Sequence, residues 1–483
     1  MASKNHTVNE NSIYNLLTRY STMDICPLHM PGHKRNSQLL ADNLPYNIDI
    51  TEISGFDNLH DPRGIIKETS KIADALYGSN KTFLLVNGSS CGILAGIRAA
   101  VKHGDKIIMA RNCHQSVYHA AELNALQTVY LLPKIDQQTG IGGSISPLQV
   151  KAALDNNPDA KLLVITSPTY EGVVNDIEKI TAAAHKRGIA VLVDAAHGAH
   201  LGFSDYFPDN SIKSGADLVV HSLHKTLPAL TQCALAHINS NLINHQKMAA
   251  ELAIFETSSP SYILLASIDN CLRLLLKDKD QLFKTYENNI KCFDYAIKDL
   301  KNLHIVCHGS NYLNNHQCLF DFDPGKIVIS TRETNLTGTI LANILREQYR
   351  IEPEMAGSDY VIAITSICDS KDNFKRLADA LIAIDQAVIP NKSIKTMANV
   401  LPRQLMRISE ALDLNGTLIA FADATGMVSL EYVWAYPPGI PLLVPGEIID
   451  KNIVKQIHSF VSAGINLKSS FGEMPRQIKA TSV

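Results

Sequence analysis

The chain has no apolar run long enough to cross a bilayer, and its polar start, Met1-Ala-Ser-Lys-Asn-His-Thr-Val-Asn-Glu10, has no apolar core of the kind a signal peptide needs. A cytoplasmic protein is expected. It also has no long basic or acidic block, and a formal net charge of −3 argues against nucleic acid or an anionic membrane as partner. No C-x-x-C pair occurs. The nine cysteines are odd in number and scattered, so no disulfide framework is expected and most read as small buried hydrophobes. Eighteen histidines include His29/His33 and His197/His200, but no third and fourth ligand follows at metal-binding spacing. Repeats and low-complexity tracts are missing too. What remains is a globular composition, 46% hydrophobic and 19% charged, over 483 residues, more than one core usually organises.

From about Lys81 to Ile238, apolar runs of strand length alternate with helical segments. Strands are expected at Thr82–Val86, Lys106–Ala110, Thr128–Leu132, Lys161–Thr166, Ala190–Val193, Leu218–Ser222 and Ala234–Ile238, with helices between them. Such alternation predicts an α/β fold whose mostly parallel, seven-stranded sheet is covered on both faces and binds ligands at its carboxyl ends. Residues 1–80 look less regular and form an N-terminal segment. The large domain is expected over 81–300, closing with helices at Ile263–Leu276 and about Asp280 to Leu300. A small α+β domain follows over 301–390 and a C-terminal domain over 391–483.

Three motifs fall on those strand ends. Ser222-Leu-His-Lys-Thr226 puts Lys225 just past a buried strand, where desolvation lowers the lysine pKa toward the range of a nucleophilic amine. Asp194 ends the run Gly188-Ile-Ala-Val-Leu-Val193 and leads into Ala-Ala-His-Gly-Ala-His200. A lysine and an acid on successive strand ends are what pyridoxal phosphate (PLP) requires: the lysine forms a Schiff base, and the acid keeps the pyridine nitrogen protonated. The third motif, Leu85-Val-Asn-Gly-Ser-Ser-Cys-Gly-Ile-Leu-Ala95, runs into an alanine-rich helix whose first N–H groups, with Ser89 and Ser90, suit a phosphate. Taken singly, an Asp-x-x-His turn, a His-Lys dipeptide and a Ser N-cap are ordinary structural features. Their conjunction favours the chemical reading. Cys91 and Cys113 lie close by, but Lys225 serves the same chemistry better than a thiol.

These residues resemble the ornithine/lysine/arginine decarboxylase family of fold-type-I PLP enzymes, which share the aspartate-aminotransferase architecture. His29–Arg35, Asn87–Ser90, Asn112-Cys-His-Gln-Ser116, Asp194–His200, Ser222–Lys225, Glu256–Tyr262 and Tyr436–Glu447 look like family motifs in family order. The resemblance implies that Lys225 is the Schiff-base lysine, Asp194 the pyridine partner and His114 the stacking imidazole. It also implies that Ser89, Ser90 and Ser222 bind phosphate, that His197 and His224 line the site, and that His224 or a lysine-bound proton protonates the product carbon. The activity implied is decarboxylation of a basic amino acid, arginine first and lysine or ornithine close behind, in polyamine metabolism. His29, His33, Asp57, Asp61 and Glu256 are candidates for the substrate side. The large members carry an N-terminal wing that this chain has no room for before His29, so a homodimer or tetramer is expected, with the His29–Arg35 arm reaching a neighbour's site. Ala195 departs from the larger or acidic residue that follows the Asp in many relatives. Two other readings are a different fold-type-I reaction of the aminotransferase kind and a non-catalytic regulatory paralogue.

Overall fold

The computed structural model describes residues 12–23, 30–31, 34, 44–308, 318–391, 401–435 and 440–482. Two helices, α1 (Ile13–Thr22) and α2 (Ile65–Tyr77), precede the first strand in the segment that reads as irregular. The one-sided pattern of α2, which buries Ile66, Thr69, Ala73 and Tyr77, is short and hidden between turn-rich flanks. Gly78, at φ +76°, ends it in the left-handed conformation that glycine adopts without strain.

The large sheet contains β1 (Lys81–Leu85), β2 (Lys106–Ala110), β3 (Gln127–Leu131), β4 (Ala160–Thr166), β6 (Ala190–Asp194), β7 (Leu218–Ser222) and β8 (Ala234–Ile238). The two-residue β5 (Val173–Val174) lies outside it. Its order is β1-β8-β7-β6-β4-β2-β3, and β8 alone runs antiparallel to its neighbours β1 and β7. The inner strands β6, β7 and β8 are buried at every position, which is why they read as continuous apolar runs rather than alternating ones. Helices α3 (Gly88–Ala100), α4 (Gln115–Leu123), α5 (Pro147–Asn156) and α6 (Ile177–His185) connect the strands. Gly92 and Gly96 let α3 lie against the sheet: a Cβ on them would sit 2.6 Å from Leu85 and 2.4 Å from Leu218.

After the four-residue α7 (Leu223–Thr226), β8 and α8 (His245–Phe255), the chain forms a single 36-residue helix, α9 (Tyr262–Ile297), where two are expected. The Lys277-Asp-Lys-Asp280 run that suggests a break is a charged, solvated stretch of the helix, and it contains no Gly or Pro to interrupt the backbone. A second sheet, ordered β12-β13-β11-β9, is antiparallel throughout and consists of β9 (His304–Ile305), β11 (Lys326–Ser330), β12 (Met355–Ala356) and β13 (Tyr360–Ile364). Helices α10 (Gly338–Tyr349) and α11 (Lys371–Ala387) accompany it. The short β10 (Asp321–Phe322) pairs with β5 and ties the two halves together. Two three-stranded antiparallel sheets follow residue 401, around a separate core that includes Phe421, Ile453 and Ile457. Among the described residues no helix is long and apolar enough to cross a membrane.

Candidate active site

The carboxyl ends of β4, β6 and β7 open into a cavity of about 350 Å³, and Asp194, His197, Ser222, His224 and Lys225 all line it. Lys225 lies on α7, one turn beyond β7, and Asp194 is the last residue of the adjacent parallel strand β6. Burial lowers the Lys225 pKa, outweighing the opposite pull of the Asp194 and Glu354 carboxylates. Its Nζ is 3.0 Å from Nε2 of His197. Asp194 is buried, and its Oδ1 accepts the Ala196 N–H at 3.1 Å.

Three imidazoles line the cavity, and in two of them a backbone partner sets the position of the proton. His114 is the N-cap of α4; its Nδ1 accepts the Ser116 N–H at 3.2 Å, so in the neutral ring Nε2 carries the proton. Burial lowers its pKa, with Asp194 opposing and Lys225 adding to the shift. His224 donates from Nδ1 to the Cys233 carbonyl at 3.0 Å, which leaves a lone pair on Nε2, and burial lowers its pKa too. His197 has both nitrogens engaged: Lys225 at Nε2, and Nζ of Lys326 at 2.9 Å from Nδ1. Its pKa is driven well down by burial first and then by these two lysines.

The far side of the cavity has an anion-binding character. Gly88, Ser89 and Ser90 open α3 at the end of β1, Gly88 adopts φ +75°, and Thr231 and Gln232 line the cavity beside them, the Gln232 carbonyl accepting the Gly88 N–H at 2.9 Å. A helix N-terminus attracts a phosphate through its unpaired N–H groups and dipole. The Ser222 hydroxyl, fully buried at the cavity wall, has no hydrogen-bond partner among the described residues, which is what a hydroxyl meant for a ligand oxygen would show. Amine, acid, flat imidazole and phosphate cradle thus fit PLP.

Other expected residues lie elsewhere. His29, His33 and the Tyr436–Gly439 part of the C-terminal motif are outside the described residues; Ile440, just after it, lines the cavity. Asp57 is not at the cavity of its own chain. It accepts four backbone N–H groups, from Asn58, Arg63, Gly64 and Ile66, at 2.8–3.0 Å, and these overcome burial to hold its carboxyl below the usual range. Glu256 accepts the Val86 N–H at 2.8 Å and, with Asp61, lines a second cavity of about 470 Å³. Burial pushes its pKa up to about 7. Cys91 and Cys113 are buried and their thiols are pushed up, Cys113 to about 12, so neither is a ready thiolate.

The structure adds groups that sequence reading passed over. Among the described residues, Glu171 and Glu354 are the cavity's other carboxylates. Tyr170 donates to Glu354, and Tyr360 donates to Glu171 at 3.1 Å. Glu171 had a signal in the sequence, since Ser-Pro-Thr-Tyr-Glu171 follows the carboxyl end of a strand. Glu354 arrives from beside the second sheet, and no spacing announces it.

Comparison with known proteins identifies the family and the fold. The Orn/Lys/Arg decarboxylase major-domain family model matches residues 11–373, and the C-terminal-domain model of the same family matches residues 391–472. An arginine decarboxylase of Bacillus subtilis is 32% identical over 468 residues, 94% of either chain. The lysine decarboxylase of Francisella novicida superposes with a TM-score of 0.82 at 19% identity, covering 98% of this chain and 81% of its own. An alanine–glyoxylate aminotransferase from Nostoc sp. superposes with a TM-score of 0.53 at 15% identity over 68% of this chain and 88% of its own. The fold is therefore fold type I, a large mostly parallel sheet followed by smaller antiparallel ones. The chain belongs to the Orn/Lys/Arg decarboxylase family and is an amino acid decarboxylase.

Proposed function

We propose that the protein uses PLP to remove CO2 from a basic amino acid, arginine first, giving an amine that feeds polyamine synthesis. The observation that carries this reading is the placement of a desolvated Lys225 beside a buried Asp194 on adjacent strand ends, facing a serine-lined helix start across one cavity. PLP, when bound, supplies an electron sink for the carbon that loses CO2.

The chain's own residues do the rest. Lys225, its amine desolvated, would hold the cofactor covalently. Asp194, a buried carboxylate, would keep the cofactor's ring nitrogen protonated. Ser89, Ser90 and Ser222 would hold the phosphate and His114 would contact the ring, while His197 orients Lys225 through its hydrogen bond. His224, with a lone pair on Nε2 when neutral, accepts a proton there and can return it to the product carbon. The distal cation of a basic side chain needs a carboxylate, and Glu354 and Glu171 are within the cavity. The arginine decarboxylase relative supports arginine as substrate, while the lysine decarboxylase neighbour keeps lysine close. Family resemblance further supports a homodimer or tetramer, which light scattering tests.

The direct test incubates the purified protein with arginine, lysine or ornithine, with and without PLP, and identifies the amine by mass spectrometry. Agmatine formed only with PLP is the expected result. Cadaverine or putrescine instead would replace the substrate, and no amine from any of the three would end the proposal.

A further inference from the structure

Glu256 caps the carboxyl end of α8, where its own N–H donates to the Leu252 carbonyl at 2.8 Å. Its side chain turns back to the large sheet. The residue is only 6% exposed, its Oε1 accepts the Val86 N–H at 2.8 Å, and Asn87 Nδ2 donates to the neighbouring Phe255 carbonyl at 3.3 Å. Two bonds therefore fasten the end of α8 to Val86 and Asn87, the two residues that join β1 to the Gly88-Ser89-Ser90 start of α3.

The charge of this carboxyl is poorly compensated. Lys67, Lys71 and Asp74 of α2, His60 and Asp61 ahead of α2, and Lys81 of β1 line the same cavity, while Arg98 of α3 and Glu251 of α8 pair with each other at 2.5 Å. Of these charges, His60 is the one that pulls Glu256 toward ionisation. Burial outweighs that pull and the bonds from the Val86 and Asn87 backbone, and it holds the pKa up at about 7, so the group changes charge near neutral pH.

Such a change reaches the cradle. Val86 and Gly88 are two peptides apart, so about 7.6 Å at most separates their Cα atoms, and Glu256 lies within about one Debye length of the start of α3. Its charge acts there: after burial, Glu256 is the next cause that pushes up the thiol of Cys91, in the first turn of α3. A carboxylate at that place takes up part of the positive field that a helix start offers an anion, and repels the anion besides; a neutral carboxylic acid does neither. We propose that Glu256 is a positioning residue for the cofactor's phosphate: it anchors the cradle through Val86, and its own proton determines how tightly the cradle holds the anion. This deepens the function proposed above, from which it takes the identity of the anion, PLP. Because anion binding and protonation of Glu256 favour each other, affinity is full below the Glu256 pKa and falls as pH rises through about 7.

The test measures the Kd of PLP for the cofactor-free protein at pH 6.5 and pH 8.5, from the absorbance of the Schiff base, beside pyridoxal, which has the aldehyde but no phosphate. Glu256→Gln keeps an acceptor for Val86 and has no charge at either pH. It should match the unaltered chain within about twofold at pH 6.5 and bind PLP about tenfold more tightly at pH 8.5, a difference that shrinks in 1 M salt. With pyridoxal the two proteins should agree at both pH values. Glu256→Ala, which loses the anchor too, should bind PLP more weakly than Glu256→Gln at both. Equal PLP affinities of Glu256→Gln and the unaltered chain at pH 8.5, or the same difference with pyridoxal, overturn the proposal. A second measurement needs no variant and so survives a folding failure: carbon NMR of protein labelled at its glutamate carboxyls should find one that titrates near pH 7 and whose midpoint rises by about one unit when PLP is bound. The absence of any glutamate midpoint that moves with PLP overturns it equally. A chain that binds no PLP loses this inference together with the proposed function, whereas one that shows the expected pH dependence yet makes no amine keeps the Glu256 assignment and loses only the proposed reaction.

Discussion

Arg111 and Glu447 offer the sharpest energetic test of how the C-terminal region is held to the large sheet. Arg111 follows β2 directly, and its Nη2 donates to Glu447 Oε2 at 3.0 Å with the two side chains 5% and 0% exposed. The pair is imperfectly satisfied, because Arg111 Nη1 and Glu447 Oε1 lack partners among the described residues. Removing one member of a buried pair strands the other charge, at about 3–5 kcal/mol, whereas replacing both with apolar residues is often neutral. Glu447→Leu and Arg111→Met should therefore each cost about 3–5 kcal/mol. The double variant should cost only about 1–2 kcal/mol, the penalty for the Val444 N–H that donates to Glu447 at 2.9 Å. A pH effect distinguishes the two single variants. Burial drives the Glu447 pKa up and Arg111 opposes that shift, so without Arg111 the carboxyl takes up a proton more readily, and the Arg111→Met loss should shrink between pH 8 and pH 5.5. The single tryptophan, Trp434, lies in the C-terminal region, so urea unfolding followed by its fluorescence reads this transition. Single variants costing less than about 1 kcal/mol, or a double variant equal to their sum, would refute the account.

Other outcomes follow from the same geometry. Lys225→Ala should abolish turnover and the yellow colour of the PLP-loaded protein; borohydride labelling of a different lysine in the unaltered chain would contradict this. Asp194→Asn should still bind PLP yet lose several orders of magnitude in kcat, and near-normal kcat would remove the role given to its charge. Glu354→Gln should raise KM for the basic amino acid by about tenfold or more, because a charge-assisted bond becomes a neutral one, with little effect on PLP absorbance. For Glu256 the folded pKa of about 7 lies above the ordinary 4.5, so its contribution to stability is full below pH 4.5 and lost as pH rises through 7. Glu256→Gln, whose amide oxygen can still accept the Val86 N–H, should show a smaller fall in Tm between pH 5.5 and pH 8 than the unaltered protein.

The inner strands β6 and β7 are legible in the sequence because both their faces are buried, so each appears as a largely apolar run ended by a polar residue, Asp194 and Ser222. Lys225 and Asp194 stand out for the same reason, being charges placed where such a run stops. Lys326 carries the same kind of charge at the start of an apolar run, but there a lysine reads as an ordinary solvated strand end. Only the approach of Gly172 across the molecule makes it a buried group. Glu354 is hidden in a similar way, reaching the cavity through the folding of the second sheet rather than through any local pattern. Helix α9 appears as two because a charged run resembles a turn when its partners are unseen.

That helix also has a mechanical consequence. At 1.5 Å per residue α9 is a rod about 54 Å long, with no Gly or Pro along it. Near its start Asp269 accepts the Ile13 N–H and the Thr69 hydroxyl, fastening it to α1 and α2. Near its end Tyr286 pairs with Thr365 at 2.8 Å and Phe293 meets Phe374, fastening it to the second sheet and α11. The wall of the cavity that carries Glu354 is thus mounted on a stiff beam whose other end is bolted to the side that carries Lys225, where Ser267 accepts the Leu230 N–H at 2.8 Å. Such a frame resists swinging of one wall against the other, because any hinge between them would have to bend or unfasten the rod.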